Sequence, residues 1–283
     1  MATAIYIAHG LPYLAMLLSS LRGLRTHNPD IDVVVAARIP KPVLPDHIWG
    51  PRDRWICVPD DHDMPDHQIA KRMKMDLPDL TLSERSFFLD CDTLVHRPLA
   101  PFLRQLDHFD VLLRPHIDPE LRSNATAPTG TSYKVGELPH WNSGVIFFRK
   151  SEASAELFKL WGEYFDALGL GLDQPSLAGA VAKSAARVGP LPRVANAFTG
   201  DLKLRDVRES CYVHHYTSNI DADLCKALEA EMNSLASMNG WSVDDTSRSF
   251  FQNRIAGRLA RGKSLSGHGF WRRLAARMVK QPK

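Results

Sequence analysis

SFFLDCDTLV, residues 86–95, decides the fold class, because it leads from an apolar run directly into two aspartates. The chain holds four Asp-x-Asp pairs, and only Asp90 and Asp92 follow a hydrophobic run at once. Residues i and i+2 of a strand point to the same side, so these two carboxylates would meet beyond the strand end. Ligands bind at that carboxyl edge in open α/β sheets.

The same pair predicts a cation site. Two close carboxylates repel each other unless a cation or a proton lies between them. Hard oxygen ligands of this kind suit Mg²⁺ or Mn²⁺, and such an ion neutralises a diphosphate leaving group. The alternative interpretation is an ordinary helix N-cap with a solvated neighbour.

Apolar runs of strand length alternate with segments of helical spacing along most of the chain. Because strands that alternate with helices usually pair in parallel, this pattern predicts an α/β fold with a mostly parallel central sheet flanked by helices. Residues 115–139 are rich in Pro, Thr, Ser and Asn and are predicted as a long loop, typical of a lid. The predicted strands are residues 4–8, 32–37, 54–58, 86–89, 110–114 and 144–149, and the predicted helices are 14–21, 69–80, 99–106 and 151–168.

Composition excludes several classes of protein. The 283 residues are 44% hydrophobic and 24% charged, values typical of globular proteins and not of disordered chains, collagen or coiled coils. No apolar run reaches the roughly 18 residues of a transmembrane helix. Residues 4–18 are interpreted as a first strand and helix and not as a signal peptide, so we expect a cytoplasmic protein. The cysteines lack metal-site spacing and are predicted to be reduced thiols: Cys57, Cys91, Cys211 and Cys225.

Charge divides the chain into an acidic body and a basic tail. Residues 1–247 hold 25 Lys/Arg and 32 Asp/Glu, whereas residues 248–283 hold ten Lys/Arg and no acidic residue. We therefore expect a main domain at 1–247 and a basic C-terminal segment at 248–283. Apolar residues recur at helical spacing in 251–259 and in 271–278, which favours two amphipathic helices lying on the inner face of an anionic membrane. A solvated tail or a helix packed on the body are the alternatives, and no nucleic-acid-binding motif accompanies the charge.

Two further motifs hold polar residues beside apolar ones. In WNSGVIFFR, residues 141–149, Asn142 could hydrogen-bond sugar hydroxyls and Gly144 could admit a ligand to the backbone. Taken alone, that motif favours an ordinary turn. In LDQPSL, residues 172–177, Asp173 and Gln174 precede a proline, and simple helix capping is the alternative to a catalytic role.

Histidines supply the last candidates. CYVHHYTS, residues 211–218, reads as a strand that presents His214 and His215 on opposite faces, and one of them would complete a Mn²⁺ site. A satisfied core or surface histidine is the alternative. The Asp- and His-rich segment 59–67 is interpreted as a solvated loop, although it could flank a nucleotide.

Taken in order, these motifs resemble a known family over roughly residues 4–218. The carrying segments are hydrophobic-DCDTLV, WNSGVIFF, LDQPSL and a histidine before an aromatic residue. They are similar to the nucleotide-diphospho-sugar glycosyltransferases of GT-A fold, above all to the glycogenin and bacterial lipopolysaccharide galactosyltransferase family. The resemblance implies a Rossmann-like GT-A catalytic domain at 1–247, transfer from a UDP-sugar donor with Mn²⁺ or Mg²⁺, and retention of configuration. A glycan or lipid-linked acceptor, such as a surface polysaccharide or lipopolysaccharide, is expected.

The resemblance also assigns residues by position. Asp90, Asp92 and His215 would hold the metal, with His215 matching better than His214. The implied catalytic residues are Asp173, Gln174 and Asn142, and those at the donor are Ala8, His9, Gly10, Arg72, Asp90, Cys91, Asp92, Ser143 and Gly144. The family's Lys-Pro-Trp triplet after the histidine is missing from TSNIDADLCK, residues 217–226, so another basic residue would complete the donor site or that loop has diverged.

Two other functions compete with this hypothesis. One is a non-catalytic protein of the same fold that binds nucleotides or carbohydrates. The other is a phosphatase of haloacid dehalogenase type, which also uses hydrophobic-Asp-x-Asp but has Thr or Val four residues after the first Asp. Here that position is Leu94.

Overall fold

The computed structural model describes residues 2–58, 66–116, 138–168, 173–216 and 220–260, with the backbone alone for residues 66, 67 and 254–260. Its strands are β1 Ala2–Ala8, β2 Asp32–Ala37, β3 Arg54–Cys57, β4 Arg85–Leu89, β5 Thr93–Val95, β6 Val111–Pro115, β7 Trp141–Arg149, β8 Val188–Pro190, β9 Ala197–Phe198 and β10 Val213–His215. Its α-helices are α1 Leu11–His27, α2 Asp66–Arg72, α3 Leu77–Leu80, α4 Ala100–Gln105, α5 Glu152–Leu168, α6 Asp173–Lys183, α7 Arg205–Ser210, α8 Ala222–Asn239 and α9 Asp245–Ala260.

Seven strands form the central sheet, in the order β3-β2-β1-β4-β7-β6-β8. Strand β7 runs antiparallel to both of its neighbours, β4 and β6, and the other neighbouring strands are parallel. The prediction of a mostly parallel α/β sheet is therefore confirmed.

Alternation along the strands explains why helices cover both faces of this sheet. In β1, Tyr6 points into a core with α1 and α8, while Ile5 and Ile7 point into a second core with α5 and α6. Strands β2, β4 and β7 divide their side chains in the same way. Because strands buried on both faces are apolar along most of their length, they appear in the sequence as nearly continuous hydrophobic runs.

A smaller sheet lies beside the large one, in the order β5-β10-β9. Strand β10 pairs antiparallel with β5 and parallel with β9. Strand β5 begins one residue after Asp92, so this small sheet brings the segment around residue 214 to the Asp-x-Asp motif.

The predicted helix 69–80 is interrupted in the structure. Helix α2 ends at Arg72, a 3₁₀ turn spans Met73–Asp76, and α3 follows. Pro78 has no N–H with which to bond the carbonyl of Lys74, four residues earlier, so a continuous α-helix cannot pass this point.

Helix α9 crosses the predicted boundary between residues 247 and 248. Its Phe251 is fully buried in the core that α1 and α8 share. The first part of the basic segment thus packs on the body, and the predicted second helix at 271–278 lies outside the described residues. None of the described helices is long and apolar enough to cross a lipid bilayer.

Candidate functional site

Three metal-ligating side chains converge at the carboxyl edge of β4. Asp90 and Asp92 follow this strand, and the register of β10 on β5 sets His215 opposite Thr93. The Nε2 atom of His215 lies 3.3 Å from Oδ1 of Asp92 and 3.7 Å from Oδ2 of Asp90. One ligand atom from each residue lies within 4.8 Å of the others. We call this group the cation cluster.

The donor set of the cation cluster fits a divalent ion. Two carboxylates and one imidazole are a ligand set that Mn²⁺ accepts. Gly144 of β7 leaves room for the His215 and Asp90 side chains, because a Cβ there would lie 2.1 Å from Cε1 of His215 and 2.6 Å from Oδ2 of Asp90. The backbone N–H of Asp90 donates to the carbonyl of Gly144 at 2.8 Å, which ties the motif to β7.

Electrostatics within the cluster favour a cation. Burial raises the pKa of Asp90, and although Lys74 opposes this, the pKa stays above its ordinary value. Burial by itself lowers the pKa of His215, but the carboxylates of Asp92 and Asp90 outweigh it and raise the pKa. The negative charge of the two aspartates thus lacks full compensation, which a divalent ion would provide.

The second histidine of the motif lies outside the cluster. His214 points to the opposite side of β10, where its Nε2 lies 3.1 Å from Oγ1 of Thr199. Burial lowers its pKa well below the ordinary value, so the ring is neutral. Of the two candidates that the sequence left open, the structure brings His215 to the aspartates.

A buried lysine joins the cation cluster to α6. The Nζ atom of Lys74 lies 3.0 Å from Oδ1 of Asp90 and 3.1 Å from Oδ2 of Asp173. Ser143 donates to the same Asp173 oxygen at 2.6 Å. Burial alone would raise the pKa of Asp173, but Lys74 and Ser143 outweigh it and hold the pKa below its usual value. Asp173 is therefore a stable carboxylate.

The structure does not bring Arg72 to this group. Its guanidinium lies against α5, 3.6 Å from the carboxylate of Asp166, and 3.4 Å from that of Asp76. Sequence reasoning chose Arg72 and missed Lys74, two residues later in the segment KRMK. The turn Met73–Asp76 directs Lys74 inward, and burial distinguishes it from the partly exposed Lys71 and Arg72 beside it.

Gln174 follows Asp173 at the start of α6, which begins at Asp173 itself. The main-chain carbonyl of Asp173 accepts from the indole of Trp161 at 2.8 Å, which fixes this helix end. The Oε1 atom of Gln174 is buried and has no hydrogen-bond partner in the described part of the chain. A buried polar atom of this kind is ready to bond a ligand group.

Asn142 belongs to a buried network behind the cluster. Its Oδ1 accepts from the N–H of Gly144 at 3.0 Å and from Nδ2 of Asn196 at 2.8 Å. Oδ1 of Asn196 lies 3.1 Å from Nδ1 of His215. Sequence reasoning missed Asn196, because no local pattern distinguishes a single asparagine in a connection between strands.

The end of β1 adjoins the cluster through Cys91, whose thiol donates to the carbonyl of Ile7 at 3.2 Å. Ala8 is buried there, and Gly10 has a φ of 79°, a conformation that favours glycine. The ring of His9 stacks on that of Tyr13 with centroids 3.9 Å apart. The predicted donor residues of β1 and of the Asp-x-Asp motif therefore share one sheet edge.

Two candidate segments lie outside the described residues. They are the acidic segment 59–65 and most of the long loop, 117–137. Residues 217–219, where the loop after His215 begins, lie outside them as well.

Known structures share this fold. The galactosyltransferase LgtC, determined in complex with donor and acceptor sugar analogs, has a TM-score of 0.56 and 17% identity over 87% of this chain and 99% of its own. The bifunctional glycosyltransferase WbbM has a TM-score of 0.54 and 12% identity over 90% of this chain and 52% of its own. The glycosyltransferase GlyE from Streptococcus pneumoniae TIGR4 has a TM-score of 0.50 and 12% identity, with 92% and 63% covered.

These similarities are structural and not sequence-based. No protein-family model matches the sequence, and no curated protein matches it. Identities of this size establish the fold alone, and the fold is the GT-A fold that the motifs predicted.

Proposed function

We propose that this chain is a metal-dependent glycosyltransferase that moves a sugar from a nucleoside-diphosphate sugar to a glycan or lipid-linked acceptor. Uridine diphosphate is the nucleotide that we expect. The observation that carries the proposal is the convergence of Asp90, Asp92 and His215 within 4.8 Å at the carboxyl edge of the sheet. Similarity of fold to LgtC and WbbM supports the same class of reaction.

The cation cluster would hold the divalent ion, Mn²⁺ or Mg²⁺. Such an ion, when bound, neutralises the diphosphate and stabilises it as the leaving group. Lys74 fixes the positions of Asp90 and Asp173, because its ammonium lies between their carboxylates. His9 and Gly10, at the end of β1, would border the base and the ribose.

The donor sugar would lie against the start of α6. Gln174 presents a buried Oε1 with no partner in the described part of the chain, and this atom can accept a hydrogen bond from a sugar hydroxyl. Asn142 is less suited to that role than its motif indicated, since its Oδ1 already accepts two internal hydrogen bonds.

We expect the reaction to retain the configuration of the donor sugar. An inverting enzyme needs a carboxylate base beside the acceptor hydroxyl, and a good base has a pKa near the working pH. Asp173 does not meet this requirement, because Lys74 and Ser143 hold its pKa below the usual value. The anomeric configuration of the product, read by NMR, tests this expectation directly.

A thermal-shift panel of nucleoside diphosphates and their sugars, with Mn²⁺, with Mg²⁺ and with chelator, tests the proposal. We expect metal-dependent stabilisation by a uridine nucleotide, since a ligand at 100 times its Kd adds about 2.7 kcal/mol. Asp92→Asn should abolish this stabilisation. Asp223→Asn is the matched control, because Asp223 belongs to another Asp-x-Asp pair and is exposed on α8. Normal metal-dependent donor binding by the Asp92 variant would refute the site.

The two competing functions give different results in the same experiments. A non-catalytic binding protein would show the metal-dependent thermal shift. Unlike a transferase, it would show no slow hydrolysis of the donor when the acceptor is absent. A phosphatase would release inorganic phosphate from phosphomonoesters and would show no preference for nucleotide sugars.

The basic segment after α9 is proposed to bind an anionic membrane surface. Residues 261–283 hold seven Lys/Arg and no acidic residue, and each basic side chain near such a surface contributes about 1 kcal/mol. A chain that ends at Ala260 should lose co-sedimentation with phosphatidylglycerol vesicles and keep donor binding. Equal binding of both chains to these vesicles would refute this role.

A further inference from the structure

A chain of three hydrogen bonds runs from the backbone of β7 to the imidazole of the cation cluster. The N–H of Gly144 donates to Oδ1 of Asn142 at 3.0 Å, and Nδ2 of Asn196 donates to the same oxygen at 2.8 Å. Oδ1 of Asn196 then lies 3.1 Å from Nδ1 of His215. All three side chains are buried, so water does not compete for these bonds.

The direction of every bond in this chain follows from its first member. A backbone N–H can only donate, so the Asn142 atom that faces Gly144 is the oxygen. That oxygen can only accept, so Asn196 presents its NH₂ group to Asn142 and its oxygen to His215. An oxygen acceptor at 3.1 Å requires that Nδ1 of His215 carries a proton.

A proton on Nδ1 determines what the other ring nitrogen can do. In the neutral imidazole one nitrogen is a donor and the other has a lone pair. When this ring is neutral, its lone pair is therefore on Nε2, the atom that lies 3.3 Å from Asp92 and 3.7 Å from Asp90. We propose that Asn196 is a positioning residue that holds His215 in the Nδ1–H tautomer and aims Nε2 at the cation. This role rests on the proposed metal-dependent function.

Asn196 is itself held on several sides. It follows the 3₁₀ turn Arg193–Ala195 and precedes β9, whose register on β10 sets Phe198 beside His215. Its main-chain carbonyl accepts from the guanidinium of Arg114, which also pairs with Asp201 at 2.7 Å. A metal-bound histidine generally donates its second N–H to a fixed acceptor, and loss of that acceptor costs about 10–100-fold in metal affinity.

Two substitutions of Asn196 separate the effect of its acceptor oxygen from the effect of its packing. Asn196→Leu removes the acceptor. Asn196→Asp keeps an oxygen for the Nδ1 proton, although it loses the donation to Asn142 and adds a carboxylate beside the ring. Asn28→Leu is the matched control, because Asn28 is another buried asparagine, whose Oδ1 accepts from the N–H of Leu99 at 2.8 Å, at the far end of α1.

The first measurement needs no metal. ¹⁵N spectra of histidine-labelled protein, with the His215 signals assigned by their loss in His215→Gln, report which ring nitrogen is protonated when the ring is neutral. We expect the Nδ1–H tautomer in the wild type, in Asn196→Asp and in Asn28→Leu, and a shift toward Nε2–H in Asn196→Leu. A wild-type ring protonated on Nε2 would overturn the inference.

The second measurement is Mn²⁺ affinity by titration calorimetry. We expect affinity to fall about 10–100-fold in Asn196→Leu, less in Asn196→Asp, and not at all in Asn28→Leu. Wild-type affinity in Asn196→Leu would overturn the positioning role. If the wild type itself did not bind Mn²⁺, the metal in the proposed function would be refuted instead, and the spectra would still decide whether Asn196 sets the tautomer.

Discussion

Lys74→Met should destabilise the fold by about 3–5 kcal/mol, the usual cost of removing one partner from a buried ion pair. The ammonium lies 3.0 Å from Asp90 and 3.1 Å from Asp173, so at an effective dielectric constant of about 20 each attraction is worth about 5 kcal/mol. Desolvation of the three ions, several kcal/mol each, offsets most of this gain. Methionine preserves the volume and leaves both carboxylates without their cation.

The pH dependence of this loss has a definite sign. In the wild type, burial alone would raise the pKa of Asp173. Lys74 and Ser143 outweigh burial and lower this pKa below 3.8, the ordinary value for an aspartate. That stabilisation is present above the unfolded-state pKa and is lost as pH falls. Without Lys74, burial raises the pKa of both aspartates, so the variant loses stability as pH rises. The difference between variant and wild type should therefore widen from about pH 4 to 7.

Urea unfolding with chelator present, followed by tryptophan fluorescence, measures both effects. Lys159→Met is the matched control, because Lys159 is largely exposed and pairs with Glu163 at 3.8 Å on the surface of α5. Exposed pairs of this kind contribute at most about 1 kcal/mol. If Lys74→Met lost no more stability than Lys159→Met, or lost the same at every pH, the buried bridge between the two aspartates would be refuted.

Gly144→Ala should lower Mn²⁺ affinity at least about tenfold by calorimetry, because the added Cβ would lie 2.1 Å from Cε1 of His215. Gly200→Ala is the control, because no atom lies within 4 Å of its added Cβ, and it should bind Mn²⁺ as the wild type does. Equal Mn²⁺ affinities in the two variants would mean that His215 does not lie against Gly144. Phe251→Ala should cost about 3–5 kcal/mol in urea unfolding, because the ring is fully buried. A chain that ends at Ala260 keeps this ring and should unfold like the full chain, and a stable Phe251→Ala variant would mean that α9 does not pack on the body.

Most of the central sheet could be predicted because its strands are buried on both faces. Strands β1, β2, β4 and β7 therefore each contain a run of buried apolar residues, which the sequence displays directly. Helix α8 was not predicted, although Asp221 caps its start and Gly240, with a φ of 65°, ends it. Both signals could have located it.

The small sheet could not be predicted in full. Its strands β5, β9 and β10 have only two or three residues each, too few to show a period of two. The pairing of β10 with β5 joins residues more than a hundred positions apart, such as His215 and Thr93. The residue pattern alone therefore left both His214 and His215 open, and it was the resemblance to the family that favoured His215.

The sequence by itself predicted a mostly parallel α/β fold with Asp90 and Asp92 at a strand end, because these features follow from local patterns of apolar runs that end in polar residues. The resemblance of its motifs to a known family implied the GT-A fold. Only the tertiary structure distinguished Lys74 from Arg72 and showed that Asn196 and Phe251 are buried. It also brought His215, the histidine that the resemblance implied, to the aspartates. The physical reason is that a charge or an amide acts according to what it is buried against, and those neighbours are distant in the chain.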